Sequence, residues 1–79
     1  MEDRQILEKV DALVAEEHEL ERRAAKVGRP VDRARLDEIE VMLDQCWDLL
    51  RQRHARRAAG LDPDEAALRE AVIVERYEQ

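Results

Sequence analysis

Two amphipathic stretches on either side of Gly28-Arg29-Pro30 constrain the fold of this chain more than any other feature. Within each stretch, mostly apolar residues recur at alternating intervals of three and four, which places their side chains in one stripe along an α-helix. The first stripe comprises Ile6, Val10, Leu13, Glu17, Leu20, Ala24 and Val27, and the second comprises Leu36, Ile39, Leu43, Cys46, Leu50 and Arg53. Two such stripes joined by a short break predict an all-α fold, an antiparallel two-helix hairpin with a coiled-coil-like seam.

The ends of both helices can be placed from the sequence. The first helix is predicted over about residues 3–27, because acidic residues suit its N-terminus and Gly28 suits a C-terminal stop. A loop over residues 28–31 leads to Asp32, which is predicted to cap a second helix over about residues 32–59. The hairpin therefore occupies residues 1–60.

The remaining segment, residues 61–79, is predicted to hold a short helix and a tail. Asp62 as N-cap with Pro63 at the first helical position favours helix initiation, with an end at about Glu70. The β-branched stretch that follows, at 71–79, is compatible with a helix or with an extended tail.

A single hairpin does not cover all of the apolar surface that this sequence provides. Around each helix the apolar side chains span an arc of about 160°, wider than the narrow seam of a two-stranded coiled coil. We therefore predict a homodimer in which two hairpins form a four-helix bundle. The candidate interface residues are Leu7, Val14, Met42, Cys46, Trp47 and Leu49.

Composition narrows the classes of function. The chain has a net charge of −6, one cysteine and no Ser, Thr or Asn, so Ser and Thr nucleophiles and an intrachain disulfide are both excluded. The first ten residues are charged and hold no apolar core of a signal peptide, and no apolar run approaches the length of a membrane span. We expect a non-enzymatic cytoplasmic protein with no cofactor and no membrane association.

Metal binding and thiol catalysis are disfavoured by spacing. In the predicted register His18 and His54 lie too far from Cys46 to converge on it, and the chain has no metal-ligand spacing such as H-x-x-x-H or C-x-x-C. The helical neighbours of Cys46 are apolar, which raises a thiol pKa and opposes catalysis.

Two charged surfaces are candidate binding sites. Glu40, Asp44 and Asp48 recur every four residues and could form an acidic docking face for a protein partner or a weak cation site, although such rows are more often solvated flanks. Arg51 to Arg57 is the only basic block, and a nucleic-acid-associated factor would use it. A basic helix C-terminus is also expected from the helix dipole, and the acidic chain makes nucleic acid the less favoured partner.

Glu17 and Arg53 interrupt the two apolar stripes. The predicted register sets Arg53 opposite Ile6 or Leu7, so these two charges would pair only across a dimer.

Three stretches resemble a known family: Leu13 to Leu20, the segment L-D-Q-C-W-D-L-L-R-Q-R at Leu43 to Arg53, and Ala59 to Ala66. Over nearly its whole length the chain resembles the domain-of-unknown-function family 2630, a group of short, mostly actinobacterial proteins. The resemblance implies no activity, cofactor or partner. The tail departs from the family pattern, because Val74-Glu75-Arg76-Tyr77 stands where a V-E-G-Y ending is expected.

Overall fold

A computed structural model of the chain describes residues 1–68 and Val74. Two α-helices, α1 (Asp3–Val27) and α2 (Arg33–Ala58), pack against each other, and a 3₁₀ helix at Pro63–Glu65 packs on α2. Residues 1–68 contain no strand. The all-helical fold with two packed helices is therefore as predicted.

Local hydrogen bonds explain where the helices begin and end. The Gln5 side chain accepts from the backbone N–H of Glu2 at 2.8 Å, and Asp32 accepts from the N–H of Arg35 at 3.2 Å. Both acceptors satisfy donors that a helix N-terminus leaves unpaired. At the other ends, Gly28 and Gly60 adopt φ angles of 67° and 75°, a left-handed conformation that terminates a helix.

The hydrophobic core lies between α1 and α2. Its buried members are Ile6, Val10, Leu13, Ile39, Cys46 and Leu49, with Val14, Leu20, Met42, Leu43, Leu50 and Ala66 packed against them. The stripe pattern therefore identified the packed faces of both helices.

The third segment differs from the prediction. In place of an α-helix extending toward Glu70, the chain forms one 3₁₀ turn, and Ala66 is already extended with φ −66° and ψ 142°. Side chains of α2 bind the backbone carbonyls of this segment: Arg56 binds that of Asp62, Arg53 that of Pro63, and Gln52 that of Ala67. These contacts tie the segment to α2. Except for buried Val74, the predicted tail at 71–79 lies outside the described residues.

Candidate interaction surface

The six predicted interface residues occupy three different places in the hairpin. Cys46 and Leu49 are 3% and 6% exposed and belong to the core between the helices, so they cannot meet a partner without opening the hairpin. Leu7 and Trp47 are each 43% exposed. Val14 and Met42 are half-buried.

Helix geometry assigns the accessible members to opposite sides of the hairpin. At 100° per residue, Leu7 and Val14 lie about 90° to one side of the α1 core stripe and Glu16 about 90° to the other. Glu16 binds Arg35 of α2, so these two residues mark one side of the molecule. Met42 follows Arg35 by two helical turns and lies on that same side.

The opposite side of the hairpin carries Trp47. On α2 it lies about 80° from the core stripe in the direction away from Arg35, which places it on the side of Leu7 and Val14. We call this surface the Trp47 face and define it as Leu7, Val14, Leu43, Trp47 and Leu50. Leu43 and Leu50 form its half-buried base against the core.

Exposed apolar side chains elsewhere in the described part of the chain lie at ends or in the third segment. Met1, Val27, Leu61 and Leu68 are 52–64% exposed, and each lies outside the helices or at a helix end. Leu7 and Trp47 are therefore the large hydrophobic residues that the described helices expose away from their ends. Trp is enriched at protein interfaces, because its ring is largely apolar and carries a single N–H donor.

The predicted acidic row does not form one surface. Glu40 is exposed and Asp44 is half-buried, but Asp48 is 6% exposed and accepts from Gln52 Nε2 at 2.9 Å. Steps of four residues turn about 40° around a helix, so the row drifts from the Trp47 face to the side of α2 turned away from α1. Asp48 is thereby removed from the proposed docking face.

Most arginines of the basic block, Arg51 to Arg57, form ion pairs with acidic side chains of the same chain. Arg53 donates to Asp3 and, at 2.9 Å, to Asp64, whereas Arg57 donates to the second oxygen of Asp3 at 2.7 Å. Arg56 donates to Glu65 at 2.7 Å. Three arginines of the block therefore join the start of α1 and the 3₁₀ turn to the end of α2.

These ion pairs correct the prediction for Arg53. The side chain is 5% exposed and its partners are Asp3 and Asp64 of the same chain, so no pairing with Glu17 across a dimer is needed. Hydrogen bonds from Arg57 and Arg53 lower the pKa of Asp3 from 3.8 to about 2, and Asp3 in turn raises the pKa of Arg53. A charged residue in a core stripe requires a carboxylate nearby, and Asp3, one turn before Ile6, was the signal available in the sequence.

Cys46 is an unreactive core residue in this arrangement. It is a free thiol among apolar neighbours, and its burial raises its pKa. Among the described residues, no three His, Cys, Asp or Glu side chains approach closely enough to share a metal ion.

One open groove lies along the N-terminal half of α2. It encloses about 490 Å³ and is lined by Ala34, Arg35, Asp37, Glu38, Val41 and Met42. Apolar Val41 and Met42 form part of this lining, and charged side chains form another part. The groove is on the opposite side of the core stripe from Trp47.

Neither helix in the described part of the chain has an apolar stretch long enough to cross a bilayer.

In its described residues the chain is a small helical-hairpin protein that exposes Trp47 on one side, and Arg53, Arg56 and Arg57 at its basic end bind acidic side chains of the same chain. By sequence the chain belongs to the family of proteins of unknown function DUF2630, whose profile matches residues 2–79. It is 46% identical over 77 residues to an uncharacterised protein of Mycobacterium bovis, with 95% of this chain and 88% of the relative covered. An uncharacterised protein of Mycobacterium tuberculosis matches with the same identity and coverage. No solved structure matches the chain significantly.

Proposed function

We propose that this protein is a non-enzymatic protein–protein interaction module that acts as a homodimer through the Trp47 face. The observation that carries the proposal is the exposure of Trp47 and Leu7 on one side of an otherwise charged hairpin. Packing two such faces together would make a four-helix bundle and remove both side chains from water.

The modest size of the core supports the same proposal. A chain of 79 residues buries a small fraction of its surface, and domains of this size are often stabilised by oligomerisation. Burial of the exposed parts of Leu7 and Trp47 in two protomers contributes roughly 25 cal/mol for each Å² of apolar surface removed from water. We also propose a cytoplasmic location, which is consistent with a single free cysteine.

The two alternative functions have less support. A nucleic-acid-associated factor would need the basic block, but Arg53, Arg56 and Arg57 already bind carboxylates of the chain. A cation-binding protein would need the acidic row, of which Asp48 is buried and bonded to Gln52.

The proposal is tested by light scattering of the purified protein over about 1–200 µM. We expect a dimer that dissociates on dilution, together with a red shift of the Trp47 emission as the indole becomes exposed. Trp47→Lys and Leu7→Lys should weaken dimerisation by at least tenfold, because each places a charge in an apolar contact twice per dimer.

Val27→Lys is the matched control. Val27 is 64% exposed and is the last residue of α1, away from the Trp47 face, so the same change of charge should leave the mass unchanged. A wild-type monomer at 200 µM would exclude the homodimer.

A further inference from the structure

Charges on α2 are ordered around Trp47. Glu40 lies seven residues before Trp47 and His54 seven residues after it, so all three lie in one heptad stripe at intervals of about 10 Å. Asp44 lies three residues before Trp47 and Arg51 four after it, both adjacent to this stripe. The stripe is therefore acidic on the N-terminal side of Trp47 and basic on its C-terminal side.

Two-fold symmetry allows two ways of packing the Trp47 face on itself. If the symmetry axis crosses the hairpin at Trp47, the protomers are antiparallel and α2 packs on the partner's α2. If the axis follows the long direction of the hairpin, the protomers are parallel and α1 packs on the partner's α2.

The antiparallel packing matches opposite charges. Trp47 meets the partner's Trp47 at the axis, and Glu40 lies opposite the partner's His54. Asp44 lies one residue from the position directly opposite the partner's Arg51. A histidine N–H can donate to a carboxylate in either protonation state. Arg51 also interacts within its own chain, so only its positive charge is invoked.

The parallel packing brings like charges together. Ion pairs between the helices set the register of the hairpin and place Asp44 at about the height of Asp11. These pairs are Asp3–Arg53, Asp3–Arg57 and Glu16–Arg35. In a parallel dimer Asp11 would therefore face the partner's Asp44, and like charges in an interface disfavour that arrangement.

We infer that the partner of the Trp47 face is a second copy in the antiparallel orientation, with the symmetry axis at Trp47 and α2 packed on the partner's α2. This inference rests on the proposed homodimer and specifies its geometry. The order of charges along α2 thus favours the antiparallel orientation, while burial of the apolar residues stabilises the dimer.

Disulfide trapping tests the orientation. In a Cys46→Ala background, a mixture of Glu40→Cys and His54→Cys proteins should form a cross-linked dimer under mild oxidation. Neither variant should cross-link alone, because in the antiparallel dimer like positions are about 20 Å apart, whereas a disulfide requires Cα atoms within about 7 Å. Cross-linking in a mixture of Asp11→Cys and Asp44→Cys instead would overturn the inference.

A charge exchange gives an independent test. Glu40→Lys or His54→Glu alone should weaken dimerisation about two- to tenfold, since each change acts twice in a symmetric dimer. The double variant should recover most of this loss. A wild-type monomer would refute the homodimer itself, whereas a dimer without recovery in the double variant and without the mixed cross-link would refute only the orientation.

Discussion

Arg53 illustrates how one charged residue can belong to an apolar stripe. Its aliphatic stem continues the α2 core, and its guanidinium leaves the core at the open end of the hairpin, where Asp3, Asp64 and the Pro63 carbonyl accept its N–H groups. Arg is suited to this position because its planar group donates in several directions at once. A single side chain therefore connects α1, α2 and the 3₁₀ turn.

The ion pairs of Asp3 predict a specific acid sensitivity. Because the pKa of Asp3 falls from 3.8 to about 2 on folding, the ionised form stabilises the fold. That contribution is complete above the unfolded value and is lost as the pH falls from about 4 to 2. Asp3→Asn should therefore flatten the decline in urea midpoint over this pH range.

Asp11→Asn is the control for that measurement. Asp11 is exposed on the same helix, and its replacement removes one carboxylate without touching the contacts of Arg53 and Arg57. Equal pH profiles for Asp3→Asn and the wild type would show that the ion pairs do not contribute to stability.

At the scale of the elements, the helix ends depend on a few residues with distinct backbone requirements. Gly28 has φ 67°, and an added Cβ there would meet no atom within 4 Å. The cost of a side chain at this position therefore comes from the backbone conformation alone, without a steric clash.

Gly28→Ala should destabilise the protein by about 1 kcal/mol, because L-residues with a Cβ disfavour the left-handed conformation. Gly28→Asn should cost less, since Asn adopts this conformation more readily than other non-glycine residues. Chemical denaturation of both variants measures the difference. Equal costs for Ala and Asn would contradict a purely conformational explanation.

The third element shows where local signals fail. Asp62 does cap the turn, accepting from the N–H of Asp64 at 2.9 Å, and Pro63 does occupy the first position. The predicted start of this element, with Asp62 as N-cap and Pro63 at the first position, is therefore confirmed. The turn ends at Glu65, short of the predicted end at about Glu70, and Arg53, Arg56 and Gln52 of α2 bind carbonyl groups in and beside it.

As a whole, the molecule is long and thin, with extents of 52 × 25 × 14 Å. The smallest dimension is little more than the diameter of one helix, so the hairpin is a single layer with two broad sides. In a single layer the apolar core lies at the seam between the helices, which leaves the Trp47 face in contact with water.

Dimerisation through that face predicts a melting temperature that depends on protein concentration. Because mass action stabilises the associated folded state, the wild-type melting temperature should rise by several degrees between about 2 and 200 µM. Trp47→Lys should show no such rise, whereas Val27→Lys should behave like the wild type. A concentration-independent wild-type transition would count against dimerisation.

The sequence by itself determined the hairpin. Helical periodicity, Gly28 with Pro30, and Asp32 are local signals, and the helices that they specify pack through the stripes that carry Ile6 and Ile39. Family membership was also readable from the sequence, since it depends on residue order alone.

Only the tertiary structure decided which polar and apolar residues are accessible. The sequence could not separate core Cys46 and Leu49 from exposed Trp47, or buried Asp48 from exposed Glu40, because each set follows helical spacing equally well. Nor could the sequence show that Arg53 forms ion pairs with Asp3 and Asp64, since those contacts join residues up to 50 positions apart. Exposure and ion pairing depend on how separate segments pack against each other. Helical spacing predicts the stripe that packs, but it does not determine which residues beside the stripe are covered or paired.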